Sequence, residues 1–213
     1  MAHIKLPSYT KGEEIWSSVS HGVGAALSIA GLVLLLIFSS GDGWKIASSL
    51  VFGISLILLY TMSTLYHALT HPAAKRVMRI LDHSMIFLLI AGTYTPFTLV
   101  SLHGRTGWTV FGVIWAAAVV GILLNAIDME RFKRASLICY LAMGWQIVFA
   151  IKPMLESVRT EGLLLLLAGG LFYTGGVVFY VLKRYKFFHS IWHMFVVAGS
   201  VLHYFSILFY VIL

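Results

Sequence analysis

Long apolar stretches separated by short polar segments make up most of this chain. Seven of the stretches are long enough to cross a bilayer as helices, because a crossing needs roughly 20 mostly apolar residues. They cover residues 19–38, 46–69, 80–100, 107–127, 135–151, 162–182 and 188–213. Turn residues such as Gly41 and Pro72 mark the short connections between them. The pattern predicts an all-α integral membrane protein, in which residues 1–213 form one bundle of seven transmembrane helices.

The composition agrees with a protein that lies almost entirely within a membrane. Of the 213 residues, 60% are hydrophobic and 11% are charged, whereas soluble domains carry about 25% charged residues. The mean hydropathy is +0.92. Because the connections are short, no separate soluble domain fits in the chain. The function is therefore expected to reside in the bundle or its loops.

The basic residues divide unevenly between the two sides of the predicted bundle. Eleven of the 15 Lys and Arg residues fall on one side, at the N-terminus or in the 2–3, 4–5 and 6–7 loops. They are Lys5, Lys11, Lys75, Arg76, Arg79, Arg131, Lys133, Arg134, Lys183, Arg184 and Lys186. Cytoplasmic loops carry the excess of basic residues, so we predict a cytoplasmic N-terminus and a C-terminus outside. Basic loops at the cytoplasmic leaflet also explain the net charge of +7 without an acidic partner.

Several classes of chemistry have no motif in the sequence. The single Cys139 excludes an internal disulfide and a cluster of thiolate metal ligands. Glycine-rich phosphate loops of the GxxxxGK[ST] or GxGxxG type do not occur, nor does a basic surface interleaved with aromatic residues. We therefore expect neither a nucleotide nor a nucleic acid among its partners.

Two histidines at the start of the last apolar stretch carry the strongest chemical signal. His189 and His193 are four residues apart, which places them on one face of a helix. This spacing allows two imidazoles to bind one metal ion. Ionisable residues inside a membrane helix are rare and are candidates for function by default. The simpler alternative is that such a pair only forms hydrogen bonds inside the bundle.

The predicted topology brings further polar residues to the same leaflet. His67 ends the second stretch, and Asp82 begins the third. Together with His189 and His193, His67 would complete three nitrogen ligands of a Zn²⁺ ion and leave a fourth position for water, as in catalytic zinc sites. Ser63, one turn before His67, would hydrogen-bond that water or a substrate carbonyl. Asp82 would orient a ligand or accept a proton from the water.

The remaining polar residues near these positions have simpler interpretations. His21 is interpreted as an interfacial or helix-start residue, and His83 as a packing residue or a partner of the site. His203 lies about 15 Å further along the last helix than the histidine pair, too far to share its metal. Asp82 has an alternative role in a structural ion pair with Arg79.

Three short motifs together resemble the signature of the hemolysin III family, the bacterial members of the progestin and adiponectin receptor group. They are S-x-x-x-H at residues 63–67, L-D-H at 81–83 and H-x-x-x-H at 189–193. The segment at residues 13–22 is similar to the short motif that precedes the first span in that group. The resemblance covers nearly the whole chain.

The resemblance implies a fold, a location and a site. It implies a seven-helix protein of the bacterial plasma membrane with a cytoplasmic N-terminus. It implies a zinc ion held by His67, His189 and His193, with Ser63 and Asp82 in support. The wider superfamily includes alkaline ceramidases, which implies hydrolysis of a lipid amide, and the family name implies a cytolytic activity.

Four functions are consistent with these features. The first is a zinc-dependent intramembrane hydrolase of an acyl-lipid amide or ester, with a membrane lipid or fatty acid as partner. The second is a sensor or receptor in which zinc is a structural clip between the second and seventh spans. A pore-forming lysin has less support, because no amphipathic lytic helix or polar pore stripe is evident. A transporter also has less support, because the polar residues gather at one leaflet.

Overall fold

Helices form every regular element in residues 5–182 and 184–213, the part of the chain that the computed structural model describes. In chain order they are α1 (Lys11–Phe38), α2 (Gly43–Ala68), α3 (Pro72–Pro96), α4 (Gly104–Trp145), α5 (Ile151–Ser157), α6 (Thr160–Val181) and α7 (Phe188–Ile207). Turns of π-helix extend α3 over Phe97–Ser101 and α7 over Leu208–Ile212, and a 3₁₀ turn, Gln146–Ala150, joins α4 to α5. The prediction of an all-α protein is confirmed. Lys183, counted above in the 6–7 loop, lies outside the described residues.

The local sequence explains where α1 begins. The Thr10 hydroxyl accepts a hydrogen bond from the backbone N–H of Glu13 at 3.3 Å, and the Glu13 carboxylate accepts one from the backbone N–H of Thr10 at 2.8 Å. This reciprocal pair is a capping box, which satisfies backbone donors that the first helical turn leaves without partners. With the start of α1 fixed in this way, Ser17 and His21 fall on its buried face.

The outer surface of α1 is apolar and its inner surface is polar. Its buried positions include Ser17, His21 and Ser28, whereas Val23 and Ile29 are each 55% exposed. The surface helix of a soluble protein shows the opposite arrangement. Lipid tails are as apolar as leucine, so an apolar outer surface suits a helix that contacts lipid. The distribution therefore indicates that α1 faces a bilayer.

Glycines allow α1 to pack closely against the two helices that carry the candidate histidines. A Cβ atom at Gly24 would lie 2.8 Å from the ring of Tyr60 in α2, and one at Gly31 would lie 2.8 Å from the ring of Tyr204 in α7. Small residues at such positions bring membrane helices into close contact. As a result, the first turns of α1 lie against the end of α2 and the start of α7.

The number of candidate membrane spans differs from the sequence prediction. Within the described residues, six helical segments are long and apolar enough to cross a membrane, one fewer than the seven predicted. The predicted spans 107–127 and 135–151 both fall in one continuous segment, Gly104–Ser157. The residues between the two predicted spans are mostly polar, but only one of them, Asp128, departs from helical backbone angles. The number of segments is lower because these two predicted spans are counted as one.

That long segment is not straight, because the chain reverses direction at Asp128. Asp128 has φ −156° and ψ 88°, which are not helical values. Gly121 and Tyr140 would be about 28 Å apart along a straight helix, yet both contact Phe87 of α3. The Phe87 ring lies 4.4 Å from the Tyr140 ring between centroids, and it lies so close to Gly121 that a Cβ atom there would overlap it. Residues 104–127 and 129–145 therefore form an antiparallel pair of helices against α3.

A glycine substitution tests this packing. We expect Gly121→Ala to lower the stability of the folded protein by about 1–3 kcal/mol, because the new methyl group would overlap the fully buried ring of Phe87. Gly112→Ala is the matched control in the same helix, since a Cβ there meets no atom within 4 Å. The control variant should keep its stability or gain up to about 1 kcal/mol from helix propensity. Thermal unfolding in detergent measures both changes, and equal melting temperatures would contradict the close contact.

Candidate metal centre

Three buried histidine side chains from α2 and α7 meet at one end of the bundle. The Nε2 atom of His189 lies 3.3 Å from Nε2 of His67 and 3.2 Å from Nε2 of His193. One ligand atom from each ring lies within 4.8 Å of the other two. The structure thus brings together the three histidines that the sequence pattern selected, although it does not identify a metal.

The three nitrogens fit a zinc ion by distance and by chemistry. Two ligands of a tetrahedral zinc ion with Zn–N bonds of 2.0–2.1 Å are about 3.3 Å apart, close to both measured Nε2–Nε2 distances. Nε2 of His189 also contacts both other rings, and a neutral imidazole nitrogen offers either one hydrogen or one lone pair. It cannot satisfy two such contacts as good hydrogen bonds. A cation shared by three lone pairs would satisfy all of them.

A carboxylate of α1 orients the first of these rings. The Nδ1 atom of His67 lies 2.6 Å from Oε2 of Glu14, and the other Glu14 oxygen lies 2.6 Å from the ammonium of Lys75 in α3. A carboxylate only accepts, so His67 Nδ1 carries the hydrogen and, in the neutral ring, Nε2 presents its lone pair to the other histidines. Such carboxylate–histidine contacts fix the tautomer and raise the basicity of a metal ligand.

Two aromatic side chains near the N-terminus enclose the other rings. Tyr9 stacks on His189 with centroids 4.7 Å apart and planes 12° apart. His21 stacks on His193 with centroids 3.7 Å apart, and its side chain is 1% exposed. Burial raises the pKa of the Tyr9 phenol, so this residue stays a neutral hydroxyl. The interpretation of His21 as an interfacial or helix-start residue is wrong, because α1 packs so closely that this ring lies inside the bundle.

The two residues predicted to assist the histidines are both buried nearby. Ser63 lies one helical turn before His67 and has no exposed surface. Asp82 is 2% exposed, and its Oδ2 atom lies 3.4 Å from Nδ1 of His83. Asp82 lines the same cavity as His21. Their catalytic roles stay predictions.

The structure decides two further questions: whether Asp82 pairs with Arg79, and whether His203 belongs to the histidine group. The Arg79 guanidinium pairs with Glu130 at 2.5 Å and with the backbone carbonyl of Lys5 at 2.7 Å, so the alternative ion pair with Asp82 is not formed. His203 donates a hydrogen bond to the Leu166 carbonyl at 3.0 Å, and it takes no part in the three-histidine group. This agrees with the distance expected along α7.

A large apolar cavity begins beside the histidine group and continues into the bundle. Its volume of about 390 Å³ lies within the range of about 300–1,000 Å³ typical of small-molecule sites. Asp82, His21 and Trp192 line it near the histidines. Leucine and other apolar side chains of α3, α4 and α6 line the remainder; they include Ile86, Leu89, Leu137, Leu141, Leu163 and Leu167. The arrangement gives the cavity one polar end and a long apolar body.

Sequence reasoning missed Glu14, Tyr9 and His21 as parts of the site. They come from the N-terminal segment and the first helix, whereas the motifs for the histidine site lie at the ends of later helices. Glu14 and His67 are 53 positions apart, and periodicity carries no information on a contact between two helices. The only signal was the likeness of residues 13–22 to a family motif, which contains Glu14 and His21.

The helical bundle and its histidine group define a class: a multi-pass membrane protein with a candidate metal centre at one end. The chain belongs to the haemolysin-III-related family, whose sequence profile matches residues 9–204. The family resemblance drawn from the motifs is therefore confirmed. The bacterial relatives and the six apolar helices place the protein in a bacterial membrane.

Relatives are found in bacteria and in animals. The chain is 46% identical to Hemolysin-3 of Bacillus cereus over 202 residues, which cover 94% of this chain and 92% of the relative. It is 44% identical to a Hemolysin-3 homolog of Bacillus subtilis (strain 168), with 95% and 96% covered. It is 29% identical to the human monocyte to macrophage differentiation factor, with 79% and 72% covered. The likeness to the bacterial proteins thus extends over the whole bundle.

The contact between Glu14 and His67 leads to a testable prediction. A zinc ion at the three histidines would bind about 10–100-fold more weakly in Glu14→Gln, because the neutral amide keeps an acceptor for His67 Nδ1 but supplies no negative charge. Glu161→Gln is the control, since Glu161 is exposed and pairs with the exposed Arg159. Competition with a chromophoric zinc chelator measures both affinities. An unchanged affinity of Glu14→Gln would show that this carboxylate does not tune the histidines.

Proposed function

We propose that this protein is a zinc-dependent intramembrane hydrolase that cleaves an amide or ester bond of an acyl lipid. The observation that carries the proposal is the position of the apolar cavity, whose polar end adjoins the three histidines. His21 lines the cavity and stacks on His193, so the two features share a wall. An acyl chain in the cavity would place its carbonyl group beside the histidines.

The residues at the polar end have distinct roles in this proposal. His67, His189 and His193 would hold the zinc ion, which in such a site acts as a Lewis acid and lowers the pKa of water. Asp82 would take up the proton released when water attacks the carbonyl, and would later return it to the leaving amine or alcohol. The hydroxyl of Ser63 would hydrogen-bond the reacting oxygen, where negative charge develops.

The walls of the cavity would exclude bulk water from the reaction. Apolar side chains of α3, α4 and α6 surround the chain-binding part, and Tyr9 covers the histidines from the N-terminal side. In such a low-dielectric environment, the interactions of Asp82 and Ser63 with the reacting atoms are stronger than in water. The same walls select a substrate with a long apolar chain.

A membrane topology of seven crossings completes the proposal. A straight helix of 54 residues would be about 80 Å long, far beyond the roughly 30 Å of a bilayer core. The reversal at Asp128 divides the segment Gly104–Ser157 into two antiparallel helices, and each would cross once. With the N-terminus in the cytoplasm, the candidate metal centre lies at the cytoplasmic leaflet.

Reporter fusions test this topology. A reporter fused after Leu213 should be active only outside the cell, and one inserted near Arg131 should be active only in the cytoplasm, because the predicted cytoplasmic loops carry the excess of basic residues. Paired reporters that work on opposite sides of the membrane provide the internal control at each position. A cytoplasmic signal from the C-terminal fusion would leave an even number of crossings and refute the seven-crossing topology.

The meeting of four helices at the histidines favours a second function, that of a membrane sensor or receptor with a structural metal ion. Glu14 of α1, His67 of α2, Lys75 of α3 and His189 of α7 form one chain of contacts. A metal ion there would stabilise the packing of four helices, since metal binding to the folded state adds to folding free energy. In that case the protein would be a membrane sensor or receptor with a structural zinc ion, without turnover.

Substitution of Asp82 separates the two functions. Asp82→Asn should keep most of the bound zinc but lower hydrolysis of acyl lipids by about 10²–10⁴-fold, because it loses the proton acceptor without losing a metal ligand. Ser63→Ala should likewise keep zinc and lose turnover. His193→Ala should lose both zinc and turnover, whereas the control His71→Ala, at an exposed helix start, should lose neither.

Two measurements decide the outcome: the zinc content of purified protein, and fatty acid release from a panel of ceramides and acyl lipids. Equal release by wild type and Asp82→Asn would refute the role of Asp82. If wild type released no fatty acid, and removal of zinc by a chelator lowered its melting temperature, the sensor function would replace the hydrolase.

A further inference from the structure

We propose that a second, polar cavity at the reversal of α4 binds the phosphate group of a lipid headgroup. Its volume is about 40 Å³, which is enough for about three water molecules, since one water needs about 10–15 Å³. A phosphate group takes up a similar space. The polar residues that line the cavity include Arg79, His83, Asn125, Lys133, Ser136 and Tyr140. The proposal goes beyond the hydrolase function, because it requires neither a metal ion nor turnover.

Two cations beside this cavity share a single carboxylate. Arg79 bonds to one oxygen of Glu130 at 2.5 Å, and Lys133 lies 3.4 Å from the other oxygen. Among the described residues, no other carboxylate forms an ion pair with either cation. Asp82 contacts His83 at 3.4 Å, but it lines the main cavity and not this one. One positive charge beside the cavity therefore has no counter-charge.

The Arg79 guanidinium has hydrogen-bond donors that the described residues do not use. The Arg79 side chain is only 7% exposed. Its bonds to Glu130 and to the backbone carbonyl of Lys5 both come from Nη1. Nε is fully enclosed without a partner, so it is out of reach of a ligand. Nη2 bonds to none of the described residues, and its hydrogens are the donors that a phosphate oxygen would accept.

Lys133 supplies a second donor from the exposed side of the cavity. Its side chain is 59% exposed, and its contact with Glu130 is long at 3.4 Å. An ion pair at such an exposed position contributes little stability. The ammonium can therefore turn from Glu130 to a phosphate oxygen at low cost. Arg79 and Lys133 would then hold the phosphate from two sides.

The neutral residues hold the walls of the cavity in place. The Ser136 hydroxyl donates to Oδ1 of Asn125 at 2.8 Å, and the Tyr140 hydroxyl donates to the His83 carbonyl at 2.7 Å. These bonds connect the two halves of α4 to each other and to α3, so the cavity is formed before any ligand binds. Water inside it would satisfy the free donors but would leave the positive charge uncompensated. A phosphate group would do both.

The surface around the cavity favours a lipid over a free phosphate ion. The cavity lies where α4 reverses, at an end of the bundle, which is the depth of lipid headgroups. On the outside of the two halves of α4, Ile127 is 75% exposed and Ile138 is 67% exposed. The acyl chains of a bound lipid would lie along this apolar surface while the headgroup enters the cavity. Basic pockets between transmembrane helices bind anionic headgroups in this way.

Displacement of a fluorescent phosphatidic acid from the purified full-length protein, in a neutral detergent, tests the site. The competing ligands are unlabelled phosphatidic acid, a diacylglycerol with the same acyl chains, and inorganic phosphate. We expect phosphatidic acid to bind at least about tenfold more tightly than either, because it alone combines charge-assisted hydrogen bonds with apolar contacts. Equal binding of diacylglycerol would overturn the phosphate site, and equal binding of inorganic phosphate would overturn the lipid as its source. If the fluorescent lipid did not bind at all, both would be refuted.

Two variants with the same change of charge assign the binding to this cavity. Lys133→Gln should weaken the binding of phosphatidic acid by about tenfold, since it removes one charge-assisted hydrogen bond. Arg134→Gln is the matched control, because Arg134 is the next residue, is exposed and does not line the cavity. Its affinity should stay that of the wild type. Equal losses in the two variants would show a general attraction to the basic end of the bundle and would overturn the site.

Discussion

A buried imidazole in an apolar bundle needs a hydrogen-bond or metal partner for each ring nitrogen. The partners of the two His67 nitrogens connect the helices at one end of this bundle. An unpaired polar group away from water costs several kcal/mol. Glu14 meets the need on one side of the ring at 2.6 Å, and Lys75 compensates the charge of Glu14 at 2.6 Å. The other side of the ring is directed at His189 and, through it, at His193. Four helices are thereby tied together at one end of the bundle.

The same end of the bundle is where chemistry is possible. The three histidines at this end place their ring nitrogens close enough together to bind one metal ion. They lie next to the apolar cavity, because His21 both lines the cavity and stacks on His193. Asp82 and Ser63 are buried near this group, and Asp82 also lines the cavity.

The reversal at Asp128 matters for the rest of the molecule because it builds one wall of the cavity. The returning helix carries Tyr140, whose hydroxyl donates to the His83 carbonyl at 2.7 Å, next to Asp82 in α3. It also carries Leu137 and Leu141, which face the cavity. A cavity with a polar end and an apolar body thus requires the antiparallel pair.

The sequence alone was sufficient for features that follow from local geometry. The lengths of the apolar stretches predicted a helical membrane bundle, and the spacing of His189 and His193 placed both rings on one face, because each turn of an α-helix repeats the same backbone conformation. The pairing of these residues with His67 followed from topology, since the ends of neighbouring spans meet at the same leaflet. The motifs also identified the family.

Only the tertiary structure decided which side chains meet across helices. The contact of Glu14 with His67 and the burial of His21 against His193 depend on the rotation and depth of each helix relative to its neighbours. The sequence predicted two spans, 107–127 and 135–151, on either side of a loop, but it did not predict that Asp128 alone would depart from helical backbone angles between them. Spacing along one helix is set by the backbone, whereas contacts between helices are set by the fit of all side chains at once.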